Sequence, residues 1–300
     1  MAAAADRFDV TCRDSTQPMD LAECRDALAG ADVILPTLGD AFGAEAFTGA
    51  IRAKGLANFG VGYNHIDVDA ARAAGLAVAN TPGAVTDATA DIAMTLILMT
   101  ARRAGEGERL VRAGAWRGWH PTQMLGLHVT GKTVGIVGMG RIGQAVARRC
   151  RAGFGMEVLY WNRRPKPVED ARQVDSLADL CAASDVVVMA VAAAPETRHL
   201  MDAAALAAMR PHAVLVNIAR GDVVDEAALI EALRAGRIGG AGLDVYEEEP
   251  HVPDALMGCE NAVLLPHLGT AALEVREAMG RMALDNAIAI AEGRAPPNPV

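Results

Sequence analysis

Aromatic side chains are scarce in this chain: three Trp, three Tyr and five Phe among 300 residues. So few large rings, beside so many alanines, point away from an aromatic core and toward helix-rich α/β packing. Cysteine is sparse too. Cys12, Cys24, Cys150, Cys181 and Cys259 are odd in number, widely spread and without a C-x-x-C pair. This argues against a disulfide framework and a zinc site; reduced thiols and no bound metal are expected. No apolar run is long enough to cross a membrane: the longest, Ile92–Met99 extended to Ala101, falls well short. The opening MAAAADRF carries an acid where a secretion signal needs a basic head and a longer apolar run, so the cytoplasm is the expected location. Positive charge is in deficit. A net charge of −9 argues against general nucleic-acid binding, while local basic pockets for anionic cofactors and substrates stay open. There is no internal repeat or low-complexity segment. What remains is a 52% hydrophobic chain, enough for one large core or two domains.

The chain is organised around Lys132–Arg149, KTVGIVGMGRIGQAVARR. Thr133–Val137 has the pattern of a buried strand, and Gly138, Gly140 and Gly143 follow with G-x-G-x-x-G spacing into an amphipathic helix. In such a turn the first glycine allows the tight bend, the second lets the backbone approach a pyrophosphate, and the third lets helix and strand pack closely. The phosphates then rest on free N–H groups at the positive end of the helix. Arg141 is placed to add charge there, and a dinucleotide is the expected cofactor. The next strand, Glu157–Trp161, ends where an acidic residue would take the ribose 2′-hydroxyl of NAD. Asn162 stands there instead, followed by Arg163, Arg164, Pro165 and Lys166. An uncharged residue followed by two guanidiniums suits a 2′-phosphate, so NADP(H) is expected over NAD(H); a solvated basic loop is the alternative.

Before the glycine loop, Phe8–Cys12 (FDVTC) and Asp32–Pro36 (DVILP) have the pattern of strands, with a helix over Leu21–Leu28 between them. From Ile51 the chain gives strand, glycine turn, helix, strand, so the first segment is a second α/β sheet. Gly60, Val61 and Gly62 form a small-residue loop able to turn consecutive N–H groups toward an anion; a plain turn is the alternative. From Thr86 one long helical pattern runs through TDATADIAMTLILMTARRAGEGERLVRAG. Ala113–Leu127 breaks that periodicity and holds two of the three tryptophans, which suits a docking arm or, alternatively, a local core cover. Beyond the glycine loop, strands are expected over Ser184–Val191, Ala213–Ile218, Gly240–Val245 and Ala262–Pro266, alternating with helices. Such alternation gives a parallel sheet with helices on both faces. A last amphipathic helix spans Ala271–Glu292, and the tail APPNPV is expected to be a loose end.

Ligands collect at the carboxyl ends of such strands. Arg220, Asp244, Glu249 and His267 each lie just beyond one of them. A guanidinium at Arg220 can bind a carboxylate through two parallel hydrogen bonds and polarise a neighbouring carbonyl. His267 can give a proton to that oxygen, and Glu249 can hold the imidazole and keep it protonated. Each also has a plain alternative: an ion pair for Arg220, one of three solvated glutamates for Glu249, a satisfied core histidine for His267. For His65 and His251 a structural role is expected.

These stretches resemble the D-isomer-specific 2-hydroxyacid dehydrogenase family, nearest its glyoxylate/hydroxypyruvate reductases. The matching motifs are GVGYNHIDVDAA, NTPGAVTDATAD, the glycine-loop stretch, PETRHLM, LVNIARGDVVDE, GLDVYEEEP and LLPHLGTA, in order from Gly60 to Ala271. By that resemblance Arg220, Glu249 and His267 are catalytic, and Glu249 is selected from the three consecutive glutamates by lying five residues after Asp244. The family's carboxylate-binding loop falls on Val61 and Gly62. Asp244 matches a residue that contacts the nicotinamide carboxamide, and Thr89 a cofactor-contacting threonine. Further cofactor positions implied are Ile142, Val191, Thr197, Ile218, His267 and Gly269. The resemblance also implies a homodimer, with an arm at about 100–130 and a tryptophan entering the partner's active site: Trp119, with Trp116 competing.

The implied fold is α/β, with two Rossmann-like parallel-sheet domains, flavodoxin-like for substrate and dinucleotide-binding for cofactor, and a cleft between them. Residues 1–91 with 268–300 form the discontinuous substrate domain and 92–267 the cofactor domain. Three departures stand out. The chain begins near the family's first helix, so the usual first strand is expected to be missing. Ala192 and Ala194 replace a proline and a hydroxyl residue common in the family, and Asn162 with Arg163 shifts the cofactor to NADPH. The expected activity is reduction of glyoxylate or hydroxypyruvate. The alternatives are oxidation of another D-2-hydroxyacid, 3-phosphoglycerate or phosphite, and a dinucleotide sensor like the C-terminal-binding-protein corepressors. About 33 residues follow His267, too few for the regulatory domain of many phosphoglycerate enzymes.

Overall fold

The computed structural model describes residues 2–300. The chain divides into two compact units, one of residues up to Val85 with Ala272–Val300, the other Thr86–Ala271. The boundary read from sequence at 91/92 would cut the helix Thr86–Ala101. The structure keeps that helix whole in the second unit, because Ala90, Ala93, Met94 and Ile97 are buried in that unit's core. Residues 268–271 also belong there.

In the first unit a three-stranded parallel sheet runs in the order β1 (Val33–Ile34), β2 (Gly55–Ala57), β3 (Ala77–Ala79). The helix Leu21–Gly30 begins at Asp20 with a reciprocal cap: the Asp20 carboxylate accepts the Glu23 N–H, and Glu23 accepts the Asp20 N–H. Asp67 caps the helix Val68–Ala73 in the simpler way, accepting the Ala70 N–H. Leu28, Phe42, Phe47, Leu56 and Val78 fill the core between these elements. The long helix Leu273–Ala291 adds Ala287 and Ile290 against Ala57.

Two expectations for this unit are corrected. FDVTC is not a strand. Phe8 packs on the Ala57, Ala287 and Ile290 cluster, but Asp9–Cys12 are exposed and join no strand among the described residues. Alternating apolar residues define a face that can be buried; they do not supply a sheet edge to pair with. The tail is not a loose end either. Val300 N–H donates to Val78 O (3.1 Å), Asn80 N–H donates to Asn298 O (3.1 Å), and Ala79 bridges Pro299 in antiparallel fashion.

The second unit carries a seven-stranded, wholly parallel sheet in the order β10 (Ala262–Leu264), β9 (Gly240–Leu243), β8 (Val214–Asn217), β7 (Val186–Met189), β4 (Thr133–Val137), β5 (Glu157–Trp161), β6 (Arg172–Gln173). Apart from the added β10, this is the doubly wound order, with its switch point between β4 and β7. Successive strand residues enter opposite cores. Val187, Met189 and Leu215 pack on one face beneath helices that contribute Leu180, Leu206 and Leu229, while Val186, Val188 and Val216 pack on the other beneath Leu96, Ile97 and Val146. Burial on both faces explains why the strands are continuous aliphatic runs.

The long helical pattern from Thr86 is broken. One helix ends at Ala101, Arg103 adopts a left-handed φ of 53°, and a second helix spans Ala104–Arg112. The Ala101 carbonyl leaves the helix to accept the Leu127 N–H at 2.7 Å, so the returning chain supplies the stop that the sequence lacks locally. Residues 113–122 are exposed throughout. Among the described residues no helix is long and apolar enough to cross a membrane. None of the five cysteines is joined in a disulfide.

A carboxylate staples the sheet at the amino ends of β4 and β7. Asp185, its side chain 8% exposed, accepts the Thr133 N–H (2.9 Å), Arg210 Nη1 (3.0 Å) and His212 Nε2 (2.7 Å). Burial alone would raise this carboxyl, but the hydrogen bonds from His212 and Thr133, with Arg210, hold it below the usual range. Asp185→Ala is therefore expected to cost about 2–4 kcal/mol of unfolding free energy in urea melts at neutral pH. Because the folded-state value is depressed, this stabilisation is present above the unfolded carboxylate pKa and lost as pH falls through the folded one. Variant and parent should converge in acid; equal stability at neutral pH would defeat the assignment.

Candidate active site

The carboxyl end of β4 delivers the glycine turn. Gly138 has φ +97°, and a Cβ there would lie 2.8 Å from the Ala190 carbonyl and from Val191. A Cβ on Gly143 would lie 2.2 Å from Gly138 O, so the helix Arg141–Phe154 starts against the turn itself. Gly140 faces open space, and its helix has no side-chain cap. The N–H groups of Arg141, Ile142 and Gly143 have no partner among the described residues. Room beside Gly140 and unfilled donors at a positive helix end fit a pyrophosphate.

Asn162, at the end of β5, turns its Oδ1 to the Met139 N–H (2.7 Å), so it braces the glycine loop and leaves its Nδ2 for a ligand. Arg163 and Arg164 are exposed beside it, and Arg163 lies 3.6 Å from Glu196, which offsets part of its charge. Lys166 is legible in the sequence only as the end of a basic run. Its Nζ donates to Met139 O (3.0 Å), and its carbonyl is held by Tyr160 OH (2.6 Å), which puts a third cation against the loop.

Beyond β8, Asn217 shapes the turn that carries Arg220: its Nδ2 donates to Arg220 O (2.8 Å) and its Oδ1 accepts the Ala219 N–H (3.0 Å). Arg220 Nη1 donates to Ala219 O at 2.6 Å. Burial lowers the Arg220 pKa, countered by Glu249 and Asp222, so the guanidinium is short of water and close to carboxylate charge. Gly221 makes this possible, because a Cβ there would lie 1.8 Å from the Tyr246 carbonyl carbon. The Arg220 turn and the segment leading to Glu249 therefore touch backbone to backbone.

Glu249 Oε2 meets His267 Nδ1 at 2.7 Å, and Glu249 Oε1 accepts the Tyr246 N–H at 3.0 Å. Burial pushes the Glu249 carboxyl up, but the His267 hydrogen bond and charge, the Tyr246 amide and Arg220 together hold it below its ordinary value. With Nδ1 engaged, His267 Nε2 has no partner among the described residues and is the end open to chemistry. The imidazole is held in place through its own backbone, at a left-handed φ of 54°. Asp244, 2% exposed, accepts Leu268 N–H (2.7 Å) on one oxygen and Gly269 N–H (2.8 Å) on the other, and Thr89 Oγ1 donates to Gly269 O (3.1 Å). Asp244 and Thr89 thus clamp the histidine loop, a task that motif matching does not assign to them.

Tyr246 and Asn217 are the other supports that sequence reasoning missed; both lie inside matched motifs, and that was the available signal. Tyr246 OH donates to Leu265 O (2.9 Å), and burial with nearby carboxylates drives its pKa up, so it remains a donor. Thr197 spends its hydroxyl on its own loop: its single O–H lies within reach of the Ala192 and Ala194 carbonyls, and its oxygen accepts the Ala194 N–H. Val191 lies against Gly138, and Ile218 is buried at the end of β8. Trp119 stands apart at 79% exposure, and Trp116 is exposed as well.

In the first unit Asn58 Nδ2 donates to the carbonyls of Gly60 and Gly62 (3.0 Å each), and Asn80 Nδ2 to that of Val61 (2.8 Å). The Val61 and Gly62 N–H groups have no partner among the described residues. Two buried amides thus fix the loop by its carbonyls and leave its donors for an anion.

A doubly wound sheet with a dinucleotide turn, a carboxylate-held imidazole and a desolvated arginine defines a nicotinamide-dependent dehydrogenase. The model of the D-isomer specific 2-hydroxyacid dehydrogenase NAD binding domain matches residues 94–269, and this chain belongs to that family. It is 48% identical over 273 residues to a glyoxylate reductase of Thermococcus kodakarensis, covering 89% of this chain and 82% of that one. A crystal structure of a Thermus thermophilus protein superimposes with a TM-score of 0.91 at 44% identity, covering 99% and 96% of the two chains. An NADPH-dependent glyoxylate/hydroxypyruvate reductase from Sinorhizobium meliloti, solved with NADP and malonate, gives 0.89 at 35% identity, covering 100% and 93%. The chain is therefore an NAD(P)-dependent oxidoreductase acting on small 2-hydroxy or 2-oxo acids.

Proposed function

We propose that the protein reduces glyoxylate and hydroxypyruvate and prefers NADPH. The observation that carries the reductive reading is the 2.7 Å pair of Glu249 and His267, which leaves Nε2 open at the end of a strand. When bound, the nicotinamide supplies the hydride for the carbonyl carbon. Val61 and Gly62 amides and the Arg220 guanidinium take the substrate carboxylate, and Arg220 polarises the carbonyl. His267 delivers the proton to the carbonyl oxygen, and Glu249 holds the imidazole oriented through its Nδ1. The glycine turn seats the pyrophosphate, and Asp244 with Thr89 keeps the His267 loop rigid. The first unit is the substrate domain and the second the cofactor domain. The exposed apolar side chains Val111, Trp116, Trp119 and Leu125 support a homodimer whose arm brings Trp119 to the partner's active site.

NADPH preference is supported by Asn162 Nδ2, Arg163, Arg164 and Lys166 at the end of β5. Steady-state reduction with NADPH and NADH in parallel is expected to show a kcat/KM ratio of about tenfold or more, equivalent to about 1.4 kcal/mol. Arg163→Ala combined with Arg164→Ala should bring that ratio close to one while leaving the NADH rate unchanged. Equal rates in the parent would reduce those arginines to a solvated loop.

A further inference from the structure

We infer that Asn298–Val300 is a positioning element for the Val61–Gly62 loop, acting through Asn286 and Asn80. The inference rests on the reading of that loop as the carboxylate cradle. Asn80 can aim its Nδ2 at Val61 O because its own backbone is fixed on both sides. Its N–H donates to Asn298 O (3.1 Å), and its carbonyl accepts Asn286 Nδ2 (2.9 Å). Asn286 is 0% exposed, and its Oδ1 accepts both the N–H and the Nδ2 of Asn298, at 3.1 and 3.3 Å. A continuous path of hydrogen bonds therefore leads from the last residues, through one buried side chain, to the loop whose amides face the substrate.

Covering the open edge of β3 would be the plain purpose of such a tail, and its main-chain bonds to Val78 and Asn80 would suffice for that. Edge cover does not account for Asn286. Burying a primary amide carries a desolvation cost that an aliphatic residue would not incur. Here every hydrogen-bonding direction in use is spent on joining Asn298 to Asn80, which in turn contacts the loop. The loop has few other restraints: Asn58 holds its flanking carbonyls, and the intervening Val61 carbonyl depends on Asn80.

The test uses the full protein with NADPH saturating and glyoxylate varied. Removing Asn298–Val300 is expected to raise the KM for glyoxylate about five- to tenfold, the effect of one or two lost hydrogen bonds on a binding group, with kcat within about twofold. The NADPH Kd, read from nicotinamide fluorescence, should not change. Asn80→Ala should reproduce the KM effect, and the combined variant should be no worse than Asn80→Ala alone, because both cut the same path. Additive effects, or an unchanged KM after removal of the tail, would overturn the inference. Should the shortened chain fail to fold, Asn286→Leu with Asn80→Ala gives the same cycle, because Asn286 is the side chain that joins Asn298 to Asn80. Val61→Pro, which deletes one cradle amide, separates the two ideas. If it raises KM while the tail and Asn80 variants do not, the cradle stands and the path to the tail fails. If it also leaves KM unchanged, the cradle reading itself is wrong.

Discussion

Arg220→Ala is expected to lower kcat/KM for glyoxylate by a factor on the order of 10³, the loss of two charge-assisted hydrogen bonds at about 1.5–3 kcal/mol each. The reasoning starts from burial. Arg220 is largely withdrawn from water, and its Nη1 donates to Ala219 O, so the guanidinium is held by the protein rather than by solvent. An anion meeting a fixed cation in a site short of water gains more than it would in solution. Arg220→Lys keeps the charge but loses the planar fork, and should recover only part of the activity. The NADPH Kd should be unaffected in both, since the dinucleotide is assigned to the glycine turn. A kcat/KM within about threefold of the parent would remove Arg220 from the mechanism.

His267→Gln is expected to reduce kcat by roughly 10²–10⁴, the usual range for losing a positioned proton donor, with a much smaller change in KM. Glu249→Gln should cost less, because an amide can still occupy the hydrogen-bonding position while withdrawing the charge. The pair acts as one unit, so the double variant should be close to His267→Gln alone. The sign of the pH effect follows from Glu249. Its carboxyl is depressed below the ordinary value, so the charged support it gives His267 is present at neutral pH and is lost as pH falls through the folded-state value of Glu249. Full activity in His267→Gln would show that the proton comes from elsewhere.

Much of this was legible in the sequence where the signal is local. Glu157–Trp161 is a strand over the expected residues, and the G-x-G-x-x-G turn sits where strand and helix meet. Arg220, Glu249 and His267 could be named because each follows a buried strand or falls in an ordered motif. Contacts between distant stretches could not be read. Asp185 joins Thr133, 52 residues away, with Arg210 and His212, 25 and 27 residues away, and no local pattern announces such a contact. Asn162 looked like a substitute for a ribose-binding acid, yet half of its side chain is engaged by the Met139 amide. FDVTC carried the right alternation and lacked a partner edge, whereas NPV had no strand signature and found one on β3. The stop after Ala101 was invisible because the group that ends the helix, the Leu127 amide, arrives from beyond the next helix.

The clamp that Asp244 and Thr89 place on residues 267–269 bears on how such a protein can diversify. Every group assigned to moving the proton, and the turn assigned to the dinucleotide, belongs to the unit Thr86–Ala271, while the loop at Val61 and Gly62 belongs to the other. Proton transfer is thus inherited on one stretch of chain, while recognition is shared between that stretch, through Arg220, and the loop after β2. A new acid can be accommodated by redrawing the short loop after β2, with the proton donor and its supports left untouched.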